Sequence, residues 1–149
     1  MARQGMVVAA LVAATASAAC EPARQAADRE PVEAALAAAS RAGDCAAELW
    51  RAADLDPEAT ARLLAIPAAE VAPWGGAARG KVVVREVILA RAGAAAADAH
   101  AARSLALLGD ASAEQVALRR ERVARSVAGA SALCAAADGA RSGLLARRR

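Results

Sequence analysis

Residues 81–108 read KVVVREVILARAGAAAADAHAARSLALL. Their reading decides the fold. The opening Val82-Val83-Val84 and the later Val87-Ile88-Leu89 are rich in β-branched residues, which favour strands. Periodicity argues otherwise. Val83, Val87, Ala90, Ala94, Ala97, Ala101, Leu105 and Leu108 recur at steps of three and four, the spacing of one helix face. The stretch predicts a helix of about 40 Å at ~1.5 Å per residue, with Gly93 as its weakest point.

On its C-terminal side, Gly109-Asp110 ends this helix. Ser112-Ala113-Glu114-Gln115 then forms an S-x-x-Q capping box, in which the Ser and Gln side chains satisfy orphan backbone donors reciprocally. The helix it opens presents Val116, Val123, Val127, Ala130 and Cys134 on one face. Arg119, Arg120, Glu121, Arg122 and Arg125 fall on the others, and Gly139 and Gly143 mark its end. Residues 139–149, with Arg141 and Arg147-Arg148-Arg149, read as a basic C-terminal tail.

On the N-terminal side, residues 67–80 hold Pro67, Pro73, Gly75, Gly76 and Gly80 and read as a connector. It carries Trp74, which reads as a plug for the core. Before it, Asp56-Pro57-Glu58 is a helix start with an N-cap, a proline at N1 and an acid in the first turn. That helix carries Leu63, Leu64 and Ile66, stops before Pro67, and is short. A long first helix starts at Pro31, with Val32, Leu36, Ala39, Gly43, Ala47 and Trp50 on one stripe. Cys45 lies off that stripe. The fold expected is all-α: a small alanine-rich bundle of three long helices and one short helix over residues 32–138.

Composition agrees with this. The chain has 149 residues, 58% hydrophobic and 23% charged, with a net charge of +3. Fifty-one of them are alanine, the best helix former, which loses no rotamer freedom on burial. Residues 20–110 carry a net −3 and residues 111–149 a net +5. Arg outnumbers Lys 18 to 1, a bias that GC-rich codons also produce.

Residues 1–19 read as a signal peptide: Arg3 in a short n-region, an apolar run over residues 6–16, then small residues. Eleven apolar residues are too few to span a bilayer, which takes about 18–20. Ala16-Ser17-Ala18 offers an A-x-A cleavage site that would release a soluble protein from Ala19. Ser17-Ala18-Ala19-Cys20 resembles a bacterial lipobox, with Ser17 at the position that family fills with an aliphatic residue. The resemblance implies that Cys20 is lipidated and attaches the chain to a membrane, with residues 20–31, holding Pro22 and Pro31, as a flexible tether. Cysteine parity points the same way. An exported chain enters an oxidising compartment, and of Cys20, Cys45 and Cys134 an acylated Cys20 leaves Cys45 and Cys134 as a disulfide pair.

Catalytic groups are scarce. Tyr and Phe are absent, Trp50 and Trp74 are the only aromatic residues, and His100 is the only histidine. Residues 75–82, GGAARGKV, come close to the phosphate loop G-x-x-x-x-G-K-[ST]. Val82 stands in place of the hydroxyl residue, and Pro73-Trp74 where a buried strand belongs. The stretch reads as a glycine linker entering a helix. His100 lacks companions for a zinc site and reads as a partly exposed helix residue. No cofactor, metal or nucleic-acid partner is expected, since there is neither a C-x-x-C pair nor an aromatic platform for bases. The expected function is that of an exported bacterial cell-envelope protein, lipid-anchored or periplasmic, without catalytic activity, that binds or scaffolds other proteins. One alternative is a periplasmic helical chaperone or stress protein. Leu55-Asp56-Pro57-Glu58 and Ser112-Ala113-Glu114-Gln115 are similar to the L-T-x-x-Q helix starts of that group, without its Leu-Thr pair. Another is a small cysteine-dependent enzyme using Cys45 or Cys134 with His100 as base.

Overall fold

The structure, a computed structural model, describes residues 5–71, 77–108 and 111–146. Trp74, Gly75, Gly76, Gly109, Asp110 and the terminal Arg147-Arg148-Arg149 lie outside the described residues. The chain is all-α: α1 (Gly5–Leu55), α2 (Pro57–Leu63), α3 (Ala68–Val71), α4 (Ala77–Ala106) and α5 (Ala113–Ala146). Three helices are long, as the sequence predicts. The connector supplies an unforeseen single turn, α3. No described helix is long and apolar enough to cross a membrane.

Contacts across the bundle give its topology. Ala35 meets Ser126, Cys45 meets Cys134 and Glu48 meets Arg141. These numbers rise together, so α1 and α5 run parallel. Ala95 meets Ser126 and Asp98 meets Arg122, so α4 is antiparallel to α5 and therefore to α1. The short α2 and α3 close one end.

Both predicted helix starts form as written. Asp56 accepts from the Ala59 amide at 2.8 Å, and Pro57 occupies N1. Ser112 Oγ accepts from the Gln115 amide at 3.2 Å, while Gln115 Oε1 accepts from the Ser112 amide at 2.8 Å. At the end of α2, the Ile66 amide donates to the Ala61 carbonyl and the Ala65 amide to that of Arg62. This is a Schellman closure with Ala65, at φ 52°, where glycine is usual.

The buried faces differ from the predicted ones. On α1 the core residues are Val32, Ala35, Ala38, Ala42, Ala46, Leu49 and Ala53. Leu36, Ala39 and Trp50 are half-buried, and Gly43 and Ala47 are exposed. On α4 the buried residues are Val84, Ile88, Ala95, Ala99 and Ala102, whereas the predicted Ala90, Ala94 and Ala97 face solvent. In both helices apolar residues occur on every side, so several stripes fit a three-four spacing. On α5, Ala130 is buried as predicted, joined by Ser126, Leu133, Ala136, Ala137 and Ala140. α5 also continues through Gly139 and Gly143 to Ala146. At Gly139 the missing Cβ makes room for Leu63: a Cβ there would lie 2.8 Å from Leu63 Cδ2. α1 extends back through residues 20–31 to Gly5, and the described core begins at Val32.

Candidate functional site

The rotated face of α1 brings its cysteine into play. With Leu49 and Ala42 at the centre of the seam, Cys45 packs against the core and faces α5. Cys45 and Cys134 are bridged, with Cα atoms 5.0 Å apart and a sequence separation of 89. Cys45 is off the predicted stripe, but the buried face of α1 is centred elsewhere and Cys45 lies at its edge, within reach of Cys134. In the chain-entropy account a loop of this length stabilises the fold by about 4–5 kcal/mol.

Two polar clusters brace the outside of the bundle. Near one end, the Arg85 guanidinium lies over the Trp50 ring, 4.5 Å from its centroid, and donates to Asp54. Lys81 Nζ stands 3.9 Å from the same carboxylate. The groups are part-exposed, so each contact contributes on the order of 0.5–1 kcal/mol. Their effect is to fasten the start of α4 to the end of α1.

Near the other end, Asp98 on α4 accepts from Arg122 at 2.6 Å and from Arg125 Nε and Nη2 at 3.3 Å. Arg125 also donates to Glu121 at 2.5 Å. Hydrogen bonding from Arg122 holds the Asp98 carboxyl below its ordinary value, against the opposing effect of burial. A carboxylate kept charged by two guanidiniums is a poor general acid, so the cluster is a brace between α4 and α5. One turn away, the fully buried Ser126 donates to the Ala95 carbonyl at 2.8 Å. The sequence held a signal for this cluster that the periodicity reading missed. Asp98 lies eight residues before the end of α4 at Ala106 and Arg122 nine after the start of α5 at Ala113, matching steps from the two ends that face each other across the hairpin.

A cavity of about 70 Å³ lies under α2, lined by Ala52, Asp56, Thr60, Leu63, Gly139 and Gly143 among others. Sites for small organic ligands measure about 300–1,000 Å³, so it is a packing gap with room for water. Thr60 Oγ1 beside it donates to the Asp56 carbonyl at 2.8 Å.

The remaining predicted residues are separate from these clusters. His100 is exposed on α4, and its carbonyl accepts from Ser104. Cys45 and Cys134 are consumed by the bridge, so neither offers a thiol to it. Cys20 lies within the backbone of α1, and its side chain is outside the described residues. The glycine motif is divided: α4 has begun by Ala77, and Gly80 and Lys81 are helical. The described segment before the motif, Ala68–Val71, is a helix turn where a phosphate loop requires a strand. Among the described residues no group of three or more His, Cys, Asp or Glu side chains is placed to hold a metal ion. No family model, curated protein or solved structure matches the chain.

Proposed function

We propose that the chain is an exported bacterial cell-envelope protein, anchored through a lipid on Cys20 or soluble in the periplasm, that binds or scaffolds other proteins without catalysing a reaction. The Cys45–Cys134 bridge carries the reading. A disulfide that spans most of the core suits an oxidising compartment, and it leaves Cys20 as the unpaired cysteine, directly behind the apolar run at residues 6–16. The described core begins at Val32, so cleavage before Cys20 removes none of it.

Expression in a Gram-negative host followed by cell fractionation tests this. The chain is expected in the envelope fraction, and Cys20→Ala is expected to move it from the membrane pellet to the soluble periplasm. Wild-type chain retained in the cytosol with reduced cysteines would defeat the proposal. Recovery of an enzymatic activity lost on mutating His100 would defeat its non-catalytic part.

A further inference from the structure

Polar ties along α1 are unevenly placed. After Cys45, Glu48 accepts from Arg141 at 2.5 Å, the Trp50 ring lies under the Arg85 guanidinium, and Asp54 accepts from the same group. Before Cys45, the hydrogen bond that joins α1 to its neighbours among the described residues is a long one, from Ser126 Oγ to the Ala35 carbonyl at 3.4 Å. The buried side chains of that stretch are Val32, Ala35, Ala38 and Ala42, and each alanine removes little apolar area from water. The α4–α5 hairpin is better held, by Asp98 with Arg122 and Arg125 and by Ser126 with the Ala95 carbonyl. The Cys45–Cys134 bridge therefore stands where the weakly held part of α1 meets the well-held part.

A crosslink at that place acts as a stop. Parts of a fold open locally at lower free energy than the whole, and detaching α1 from Val32 onward costs mainly alanine contacts. With the bridge closed, such opening ends at Cys45. With the bridge reduced, it runs on past Leu49 to the clamp at Trp50 and Asp54. That uncovers the core cluster around Ile88 and Leu133, two of the largest fully buried side chains. Both cysteines are half-buried, so a thiol can approach the bridge from outside. Cys134 Sγ also lies 3.7 Å from the Arg41 carbonyl oxygen, which can accept from the thiol once it forms.

We propose that the Cys45–Cys134 bridge is a redox-operated latch on α1: oxidised, it confines opening to residues before Cys45, and reduced, it lets α1 peel from the α4–α5 hairpin as far as the Trp50 clamp. A dithiol reductant opens it in two exchanges. One thiolate attacks a bridge sulfur, forming a mixed disulfide and releasing the other cysteine. The reductant's second thiol then displaces the first cysteine. Two electrons and two protons pass to Cys45 and Cys134, and the reductant leaves as its own disulfide. The reduced form thus offers apolar surface that the oxidised form hides. The inference does not depend on export or lipidation.

Residue-resolved amide hydrogen exchange of the full chain tests it, with Cys20→Ala so that the bridge alone responds to reductant. The amides to watch are those of residues 49–53, which donate to the carbonyls of residues 45–49 in an α-helix. In the oxidised chain they are expected to exchange as slowly as the slowest amides of α4 and α5. After reduction by dithiothreitol without denaturant they are expected to exchange at least about tenfold faster than those hairpin amides. Cys45→Ala with Cys134→Ala is expected to give the same split with no reductant present. A bridge that dithiothreitol opens only in denaturant overturns the proposal. So does a reduced chain or double variant in which residues 49–53 and the hairpin share one exchange rate, since the bridge then stabilises the fold as a whole and gates nothing.

Discussion

Ala65 occupies the left-handed region at φ 52°, which costs a residue with a Cβ on the order of 1 kcal/mol relative to glycine. The Schellman bonds to Ala61 and Arg62 hold it there. Ala65→Gly is therefore expected to stabilise the protein by roughly 0.5–1 kcal/mol, net of the extra freedom glycine gives the unfolded chain, read as a higher midpoint in urea. The bridge is the larger effect at this scale. Paired replacement, Cys45→Ala with Cys134→Ala, keeps small apolar side chains in place and removes only the crosslink. It is expected to cost about 4–5 kcal/mol in denaturant unfolding, and thiol reduction of the wild-type chain is expected to match it. A midpoint unchanged on reduction would show that the bridge adds nothing to the fold.

At the scale of the element, the α4–α5 hairpin depends on Asp98. Its carboxyl is lowered in the folded protein by the Arg122 hydrogen bond. A lowered carboxyl contributes stability that is complete above the unfolded value of about 3.9 and lost as pH falls through the folded value. Acid unfolding below pH ~4 is thus expected to include an Asp98 component. Asp98→Asn is expected to flatten the acid limb of stability against pH and to cost on the order of 1 kcal/mol at neutral pH. The helices themselves were legible in sequence, because caps such as Asp56-Pro57 and Ser112–Gln115 are local chemistry. Their faces were less so. On α1, apolar residues ring the helix, and the surer guide is where charge is excluded. Glu33, Arg41, Asp44, Glu48 and Arg51 share one side, and the buried Ala35, Ala42, Ala46 and Leu49 lie opposite. That signal also puts Cys45 at the edge of the seam, within reach of Cys134. On α4 the charges are spread around the helix, and the same guide is weaker.

At the scale of the whole molecule, alanine decides how the helices meet. Of 21 buried hydrophobic residues among those described, 14 are alanine. Short side chains bring the axes close and allow a crosslink between parallel α1 and α5, but each buries little apolar surface, at ~25 cal/mol per Å². The crosslink and the polar braces at Asp54 and Asp98 supplement a thin core. That composition is explicit in the sequence, whereas the braces arise from pairs 24–31 residues apart and only a three-dimensional register reveals them. The proposed export joins the apolar run at residues 6–16, Cys20 and the bridge. The intact mass of the chain recovered from bacterial envelopes under non-reducing conditions tests it most directly. The account predicts a chain that has lost residues 1–19, begins at an acylated Cys20 and is lighter by two hydrogens for the Cys45–Cys134 bridge. A start at Ala19 without acyl mass would keep export and reject the anchor, and a chain retaining residues 1–19 with three free thiols would contradict the account.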